Sequence, residues 1–382
     1  MSMTDFEIVD VKAFAMSFPV KKPVTLGIGR AVKRDAVVVR VTTESGLVGW
    51  GESHHGRAHT AVAALLETTL KRLALGMDAG DTVGVWARIY RAQLASHGMG
   101  AACAMAMSGL DMALWDIRAK AAGWPLCRLL GGAAKPIPAY AGGVALGYQP
   151  PDELVAEARP HVEAGYRAVK LRIGDTVRAD ISRMEAVRRA FGEELDLLAD
   201  ANTAYRLEDA RRVIPAMDAL GMGWLEEPFP AHDRRAYAQA RGYGRTPLAA
   251  GENHYTRFEF APLLEEGVVG IWQPDLSKCG GVTEALRIAA LASAHKIPIH
   301  PHSSMTGINH AATIHFLCAI DNAGYFEADV SRGNLFRDAL VATPWRVGAD
   351  GCVRPGEAPG IGVEVDEGWL AAHPAIEGPG YV

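Results

Sequence analysis

Leu195-Asp196-Leu197-Leu198-Ala199-Asp200, Met222-Gly223-Trp224-Leu225-Glu226 and Pro247-Leu248-Ala249-Ala250-Gly251-Glu252 are three short apolar runs, each ending on a carboxylate. Asp200, Glu226 and Glu252 stand 26 residues apart. That interval accommodates one buried strand, one helix and two loops. Parallel strands closed into a barrel point their C-terminal ends at one mouth, so the three carboxylates would meet there. Converging carboxylates repel one another unless a cation neutralises them. Hard oxygen donors with no Cys or His among them suit Mg²⁺ better than zinc. The spacing therefore predicts both a fold and a metal.

Working outward, strand-like runs recur at Ile137–Gly142, Ala168–Ile173, Leu195–Asp200, Met222–Glu226, Pro247–Gly251, Val268–Gln273, Lys296–His300 and Gly324–Glu327. Amphipathic helical segments such as Asp152–Ala164 and Val282–His295 lie between them. Eight such units predict an α/β protein with a (β/α)₈ barrel, the last unit being the candidate for an incomplete one. A doubly wound open sheet is disfavoured, because no glycine-rich phosphate fingerprint follows the first strand. Upstream, Phe6 to Phe18, Ala36 to Thr43 and Leu47 to Gly51 read as strands, with Glu44-Ser45-Gly46 as a tight turn. His59 to Ala122 has helical spacing. The expected division is an α+β capping domain over residues 1–133, a barrel over 134–340, and a tail over 341–382 that folds back onto the cap.

Composition excludes several classes. The 382 residues are 49% hydrophobic and 22% charged, with a formal net charge of −5. No basic tract with interleaved aromatics is present, so no nucleic-acid partner is expected. No apolar stretch is long enough to span a membrane. The start, Met1-Ser2-Met3-Thr4-Asp5, has no signal-peptide pattern. Five scattered cysteines without a CxxC pair fit reduced thiols and a cytoplasmic setting.

The strand ends carry the chemistry. Lys170 and Arg172 are two apart on one strand and share a face, so both should point into the barrel towards the metal. Gln273-Pro274-Asp275, His300-Pro301-His302 and Phe326-Glu327-Ala328-Asp329 bring further ionisable groups to the same mouth. This set suits removal of a proton next to a carboxylate, which requires stabilising an enediolate with a divalent cation and an ammonium. His302 is the candidate base, with Asp275 against its other ring nitrogen to fix the tautomer and raise basicity.

Ala106-Met107-Ser108-Gly109-Leu110-Asp111-Met112-Ala113-Leu114-Trp115-Asp116, Lys170-Leu171-Arg172, Asp200-Ala201-Asn202, Glu226-Glu227-Pro228, Gly251-Glu252-Asn253, Asp275, His302 and Glu327 occur in one consistent order. With them the whole chain resembles the enolase superfamily, in its mandelate racemase-like branch. The resemblance implies that Asp200, Glu226 and Glu252 bind Mg²⁺ and that Lys170 contacts a substrate carboxylate. It implies His302 with Asp275 as acid/base, and Glu327 as a hydrogen-bonding stabiliser of the enediolate. It also implies specificity loops near Pro19–Arg34 and Gly51–His59, and a homo-oligomer, since family members commonly form dimers or octamers.

Arg172 departs from the pattern. Many members carry a second lysine there as a base on the opposite face, and a guanidinium with a pKa above ~12 rarely accepts a proton. Dehydration of a sugar acid to a 2-keto-3-deoxy acid needs a single base, and is the expected activity of a Mg²⁺-dependent carbon–oxygen lyase. The alternatives are a racemase, epimerase or cycloisomerase using the same enediolate, or an inactive binding homologue. Among the other polar residues, Glu227 and Asn202 are expected to support the ligands. Lys278 reads as structural, and His300 as a packed histidine. His54 and His55, like Arg57 and His97, read either as solvated loop residues or as contacts to distal hydroxyls or a distal carboxylate of the substrate. Trp115 and Trp124 are expected in the helical core.

Overall fold

The computed structural model describes residues 6–96, 99–303 and 305–382. Its first layer is an antiparallel sheet of β1 (Ile8–Pro19), β4 (Lys33–Thr43) and β5 (Val48–Ser53), in the order β1-β4-β5. Two short strands, β2 (Thr25–Leu26) and β3 (Gly29–Arg30), pair with each other inside the intervening loop. The two-residue period of β4 divides its side chains between two cores. Val37, Val39 and Val41 pack with Leu66, Leu110 and Ile117 under the cap helices. Ala36 and Val38 pack with Met112 and Trp115 in the core shared with the barrel. The helix Ala101–Ala122 is therefore buried along most of its length. It lies so close to β5 that a Cβ on Gly51 would stand 2.0 Å from the Gly109 carbonyl oxygen, which only glycine avoids.

The barrel follows in chain order: β6 (Ile137–Gly142), β7 (Ala168–Arg172), β8 (Asp196–Asp200), β9 (Leu225–Glu226), β10 (Leu248–Ala250), β11 (Ile271–Trp272) and β12 (Phe326–Asp329). All neighbouring pairs are parallel, and β12 closes onto β6. Helices such as Val177–Phe191 and Gly281–Ser293 cover the outside. The expected seventh strand, Lys296–His300, is reduced to bridges from Ile299 to Trp272 and to Ala323. The eighth, expected to be the weak one, is a regular four-residue strand. Register aligns the strand ends: Arg172 is the partner of Asp200, which is the partner of Glu226.

The tail touches both layers. Strand β13 (Cys352–Val353) pairs antiparallel with β6 of the barrel, rather than with the cap. Val365 bridges Val341 in antiparallel fashion. Further on, the tail returns to the cap as expected: Pro374 bridges Met16 and Tyr381 bridges Ala31. Arg34 of β4 reaches down to Asp329 of β12 with a buried 2.9 Å ion pair that ties cap to barrel. Trp115 is buried as expected, but Trp124 is 40% exposed, stacked only by the Arg128 guanidinium. It follows the helix-ending Gly123 and so has left the core.

Candidate active site

The strand ends and the cap loops enclose a cavity of about 500 Å³. Arg172, Asn202, Glu252 and His302 line it from the barrel, and Leu26, Ile28 and His54 to Arg57 line it from the two loops expected to set specificity. Lys278, expected to be structural, also lines it, because the turn after β11 carries the side chain back over the mouth. His97 lies outside the described residues.

Lys170 and Arg172 share a face of β7, and both reach the carboxylates of the next strands. The Lys170 Nζ lies 2.9 Å from Glu226 Oε1, 2.9 Å from Glu327 Oε1 and 3.7 Å from Asp200 Oδ2. Arg172 pairs with Asp200 Oδ2 and donates to the carbonyl of Gly143. Glu226 Oε2 accepts from Gln273 Nε2 at 2.8 Å and from Trp224 Nε1 at 3.2 Å. Glu252 turns to His302, 2.9 Å from Nε2. Each of the three carboxylates is thus held by a basic side chain of the protein. Among the described residues no three His, Cys, Asp or Glu side chains stand together as a ready metal cluster. The expected convergence is therefore at the level of strand ends rather than of a preformed ligand cage.

The donor set nevertheless fits a hard divalent cation. Glu226 is pushed up to about 7 by burial and, against the pull of Lys170, by the charges of Asp200, Glu327 and Glu252. Excess negative charge of this kind is what a bound cation relieves. The backbone supports the same point. Asn202, Thr203 and Glu227 adopt φ of 43°, 64° and 35°, left-handed values that non-glycine residues rarely take. They turn the chain sharply beside two of the carboxylates. Asn202 N donates to Asp200 Oδ1, and Glu227 Oε2 accepts from Asn253 Nδ2, as expected for supporting groups.

His302 and Asp275 form a buried pair, Nδ1 to Oδ2, at 2.6 Å. Asp275 Oδ1 accepts from Ser277 N, Ser277 Oγ and Asn309 Nδ2, so the carboxylate cannot rotate. Burial opposes charge on His302, but Glu252, Glu327 and the Asp275 bond overcome it and hold the imidazole well above its ordinary value. Burial also opposes the Asp275 carboxylate, and the bond to His302 keeps it below the usual range. Glu327 is likewise held down, against burial, by Lys170, His302 and Arg172. It accepts from Ser303 N at 3.0 Å. Burial disfavours the Arg172 guanidinium, but Asp200 more than compensates and moves it further from deprotonation. His300 packs against Trp224 and Tyr325, accepts from Tyr325 N, and falls to about 4 through burial, as a core histidine does.

Two supports of the dyad, Ser277 and Asn309, and the buried Glu52 beside it escaped sequence reasoning. Glu52 accepts from Thr306 N at 3.1 Å and lies close enough to repel Asp275. Burial raises it to about 8. Nothing in the local sequence marks these residues, since Glu52 and Asn309 meet Asp275 through tertiary packing alone.

A capped parallel barrel with a row of carboxylates at its mouth and a His–Asp pair beside them defines a class of proteins built around carboxylate substrates. Residues 8–131 match the mandelate racemase/muconate lactonizing enzyme N-terminal domain, and residues 153–369 match the enolase C-terminal domain-like family. The chain belongs to the enolase superfamily, in its mandelate racemase-like branch. It is 34% identical to a D-galactonate dehydratase of Verminephrobacter eiseniae, over 86% of this chain and 88% of that one. It is 33% identical to a D-galactarolactone cycloisomerase of Agrobacterium fabrum, over 87% and 90%. A crystal structure of an enolase superfamily member from a Polaromonas species superposes with a TM-score of 0.97 at 54% identity, covering 98% of this chain and all of that one (100%). A racemase from Streptomyces coelicolor with bound magnesium superposes at 0.88 with 29% identity, over 96% and 99%.

Proposed function

We propose that the protein is a Mg²⁺-dependent dehydratase that converts a sugar acid to a 2-keto-3-deoxy acid. The observation that carries the reading is the buried His302–Asp275 pair, whose His302 lines the cavity with Arg172 and Glu252, while Lys170, Asp200 and Glu226 are ion-paired in the barrel next to them. Asp200, Glu226 and Glu252 would hold Mg²⁺, which supplies positive charge that stabilises the enediolate. Lys170 donates to the substrate carboxylate, and Glu327, taking up a proton from solvent as that anion binds, hydrogen-bonds a carboxylate oxygen. With Glu252 drawn to the cation, Nε2 of His302 would be free to take the C2 proton, because Nδ1 is committed to Asp275. The imidazolium then returns that proton to the C3 hydroxyl, which leaves as water, and the enol product ketonises. Arg172 contributes charge and hydrogen bonds but no proton transfer. The relatives named as dehydratases support the reaction class, and the magnesium-bound relative supports the metal.

A second reading keeps the enediolate but retains the hydroxyl, giving a cycloisomerase or epimerase; the relative named as a cycloisomerase favours it. The two part in a screen of sugar acids with Mg²⁺. Formation of a 2-keto acid supports dehydration. Exchange of the C2 hydrogen for solvent deuterium with the hydroxyl kept would replace it by isomerisation. We also read residues 1–133 as the cap, 134–340 as the barrel and 341–382 as the returning tail. A homo-oligomer in the cytoplasm, with a small acid as its partner rather than nucleic acid or membrane, completes the proposal. Five free thiols and the absence, among the described residues, of a helix long and apolar enough to cross a membrane are compatible with it.

A further inference from the structure

We propose that the wall of the cavity built by His54, Arg57 and Lys278 is the seat of a second carboxylate, so that the substrate is a sugar diacid gripped at both ends. The inference rests on the reading above, in which Lys170 and Glu327 hold the first carboxylate.

The wall is assembled from two domains at one point. His54 N of the cap loop donates to the Ser277 carbonyl at 2.9 Å, immediately before Lys278 in the barrel loop. The cap loop then fixes its own imidazoles. Gly56 N donates to His54 Nδ1 at 3.0 Å, and Arg57 N donates to His55 Nδ1 at 2.9 Å. A ring nitrogen that accepts an amide proton carries none, so each neutral imidazole bears its hydrogen on Nε2 and can only donate from there. Burial, then His55 and Lys278, keep His54 well below its ordinary value and so uncharged. The two rings stack with centroids 4.2 Å apart, which holds the His54 ring in place at the cavity surface.

The two charges beside it are at most weakly paired. Lys278 is buried, and its Nζ meets Asn253 Oδ1 at 3.2 Å. Among the described residues its only ion pair is with Glu252, at 3.8 Å. Glu252 is a proposed metal ligand, and its charge is then shared with the cation. Arg57 sits at the rim, its guanidinium 5.3 Å from the centre of the Tyr381 ring, with no carboxylate of the described residues in ion-pair range. An ammonium, a guanidinium and an Nε2–H therefore line one cavity, and among the described residues only the ammonium has a carboxylate in range, at 3.8 Å. A carboxylate accepts from several donors at once and neutralises charge, whereas a terminal hydroxymethyl group accepts from two at most and carries no charge. Glu227 lines the cavity as well, with Oε1 unbonded, and offers the acceptor that the hydroxyls of the sugar chain require.

The test measures binding directly. The Mg²⁺-loaded His302→Asn protein, in which turnover is blocked, is titrated calorimetrically with galactarate and with galactonate. The diacid is expected to bind roughly ten- to hundredfold more tightly, the range of one or two charge-assisted hydrogen bonds. Adding Lys278→Met should abolish that preference, so that the diacid binds no more tightly than the monoacid. Arg57→Met, at the exposed rim where folding is not at stake, should reduce the preference severalfold. Equal affinity for the two acids, or a preference untouched by both Arg57→Met and Lys278→Met, overturns the proposal. Failure of the catalytic reading is separate. Absence of C2 hydrogen exchange in the Mg²⁺-loaded wild-type protein with either acid would remove the base, but a persisting diacid preference would leave the second seat in place.

Discussion

Arg172 and Asp200 are direct register partners on neighbouring parallel strands, and their side chains pair inside the barrel. The guanidinium thus spends its charge on a carboxylate of the row and is moved further from giving up a proton. One geometric fact fixes two features of the chemistry. Arg172 is disfavoured as a base, and a cation entering the site competes with the protein's own cations for Asp200 and Glu226.

The carboxylate row gives the first prediction. Glu226→Gln removes one charge from the proposed ligand set while keeping the shape that accepts from Gln273 and Trp224. Mg²⁺ affinity measured by calorimetry should fall at least tenfold, on the order of the loss of one ligand charge at a hard-cation site, and turnover should vanish. The melting temperature should stay near that of the wild type. Full activity in this variant, or in wild-type protein stripped with EDTA, would remove the metal from the account.

The two histidines of His300-Pro301-His302 separate by position. His302 touches Asp275, and His300 is packed under Trp224. His302→Asn should lower kcat by roughly 10³-fold or more, and Asp275→Asn by less, since the imidazole remains but loses its orienting partner. His300→Asn should act on stability and leave kcat largely intact. A dead His300 variant beside an active His302 variant would reverse the assignment.

The bridge between cap and barrel predicts a pH dependence. Burial opposes the Asp329 carboxylate, but Arg34, Arg337 and Ser331 bring it down to about 2 from its ordinary 3.8. A depressed folded-state value means stability that is fully present above the unfolded value and lost as pH falls through the folded one. The contribution of Asp329 should therefore fade between about pH 4 and pH 2. Arg34→Met strands a buried charge and should cost about 3 kcal/mol or more in urea unfolding at neutral pH. The penalty should shrink in that acid window, where the stranded carboxylate takes up a proton. A penalty independent of pH would mean that packing, not the ion pair, joins the layers.

Much of this was legible in the chain. The repeat of apolar run plus carboxylate at Asp200, Glu226 and Glu252 marks consecutive parallel strands, because local burial and strand length write themselves into sequence. The alternation of Lys170 with Arg172 foretells that their side chains share a face. The seventh strand was overestimated: Lys296–His300 is apolar enough, but Pro298 has no amide hydrogen for a sheet partner, and only Ile299 bridges. Lys278 and Glu52 were illegible for a different reason. Their places depend on a loop turning back over the mouth and on cap meeting barrel, contacts between residues far apart in the chain.

The central claim is that one base, His302, removes the C2 proton from one face, with Arg172 a fixed charge. Deuterium incorporation at C2 from D₂O, measured in recovered substrate of each C2 configuration, tests it most directly. Wild-type protein should exchange and dehydrate one configuration only. Arg172→Lys places a titratable amine on the other side, its affinity for a proton lowered by Lys170 and the metal, and should gain slow exchange on the opposite epimer. Comparable exchange of both epimers by the wild-type protein would make Arg172 a base and the enzyme an epimerase.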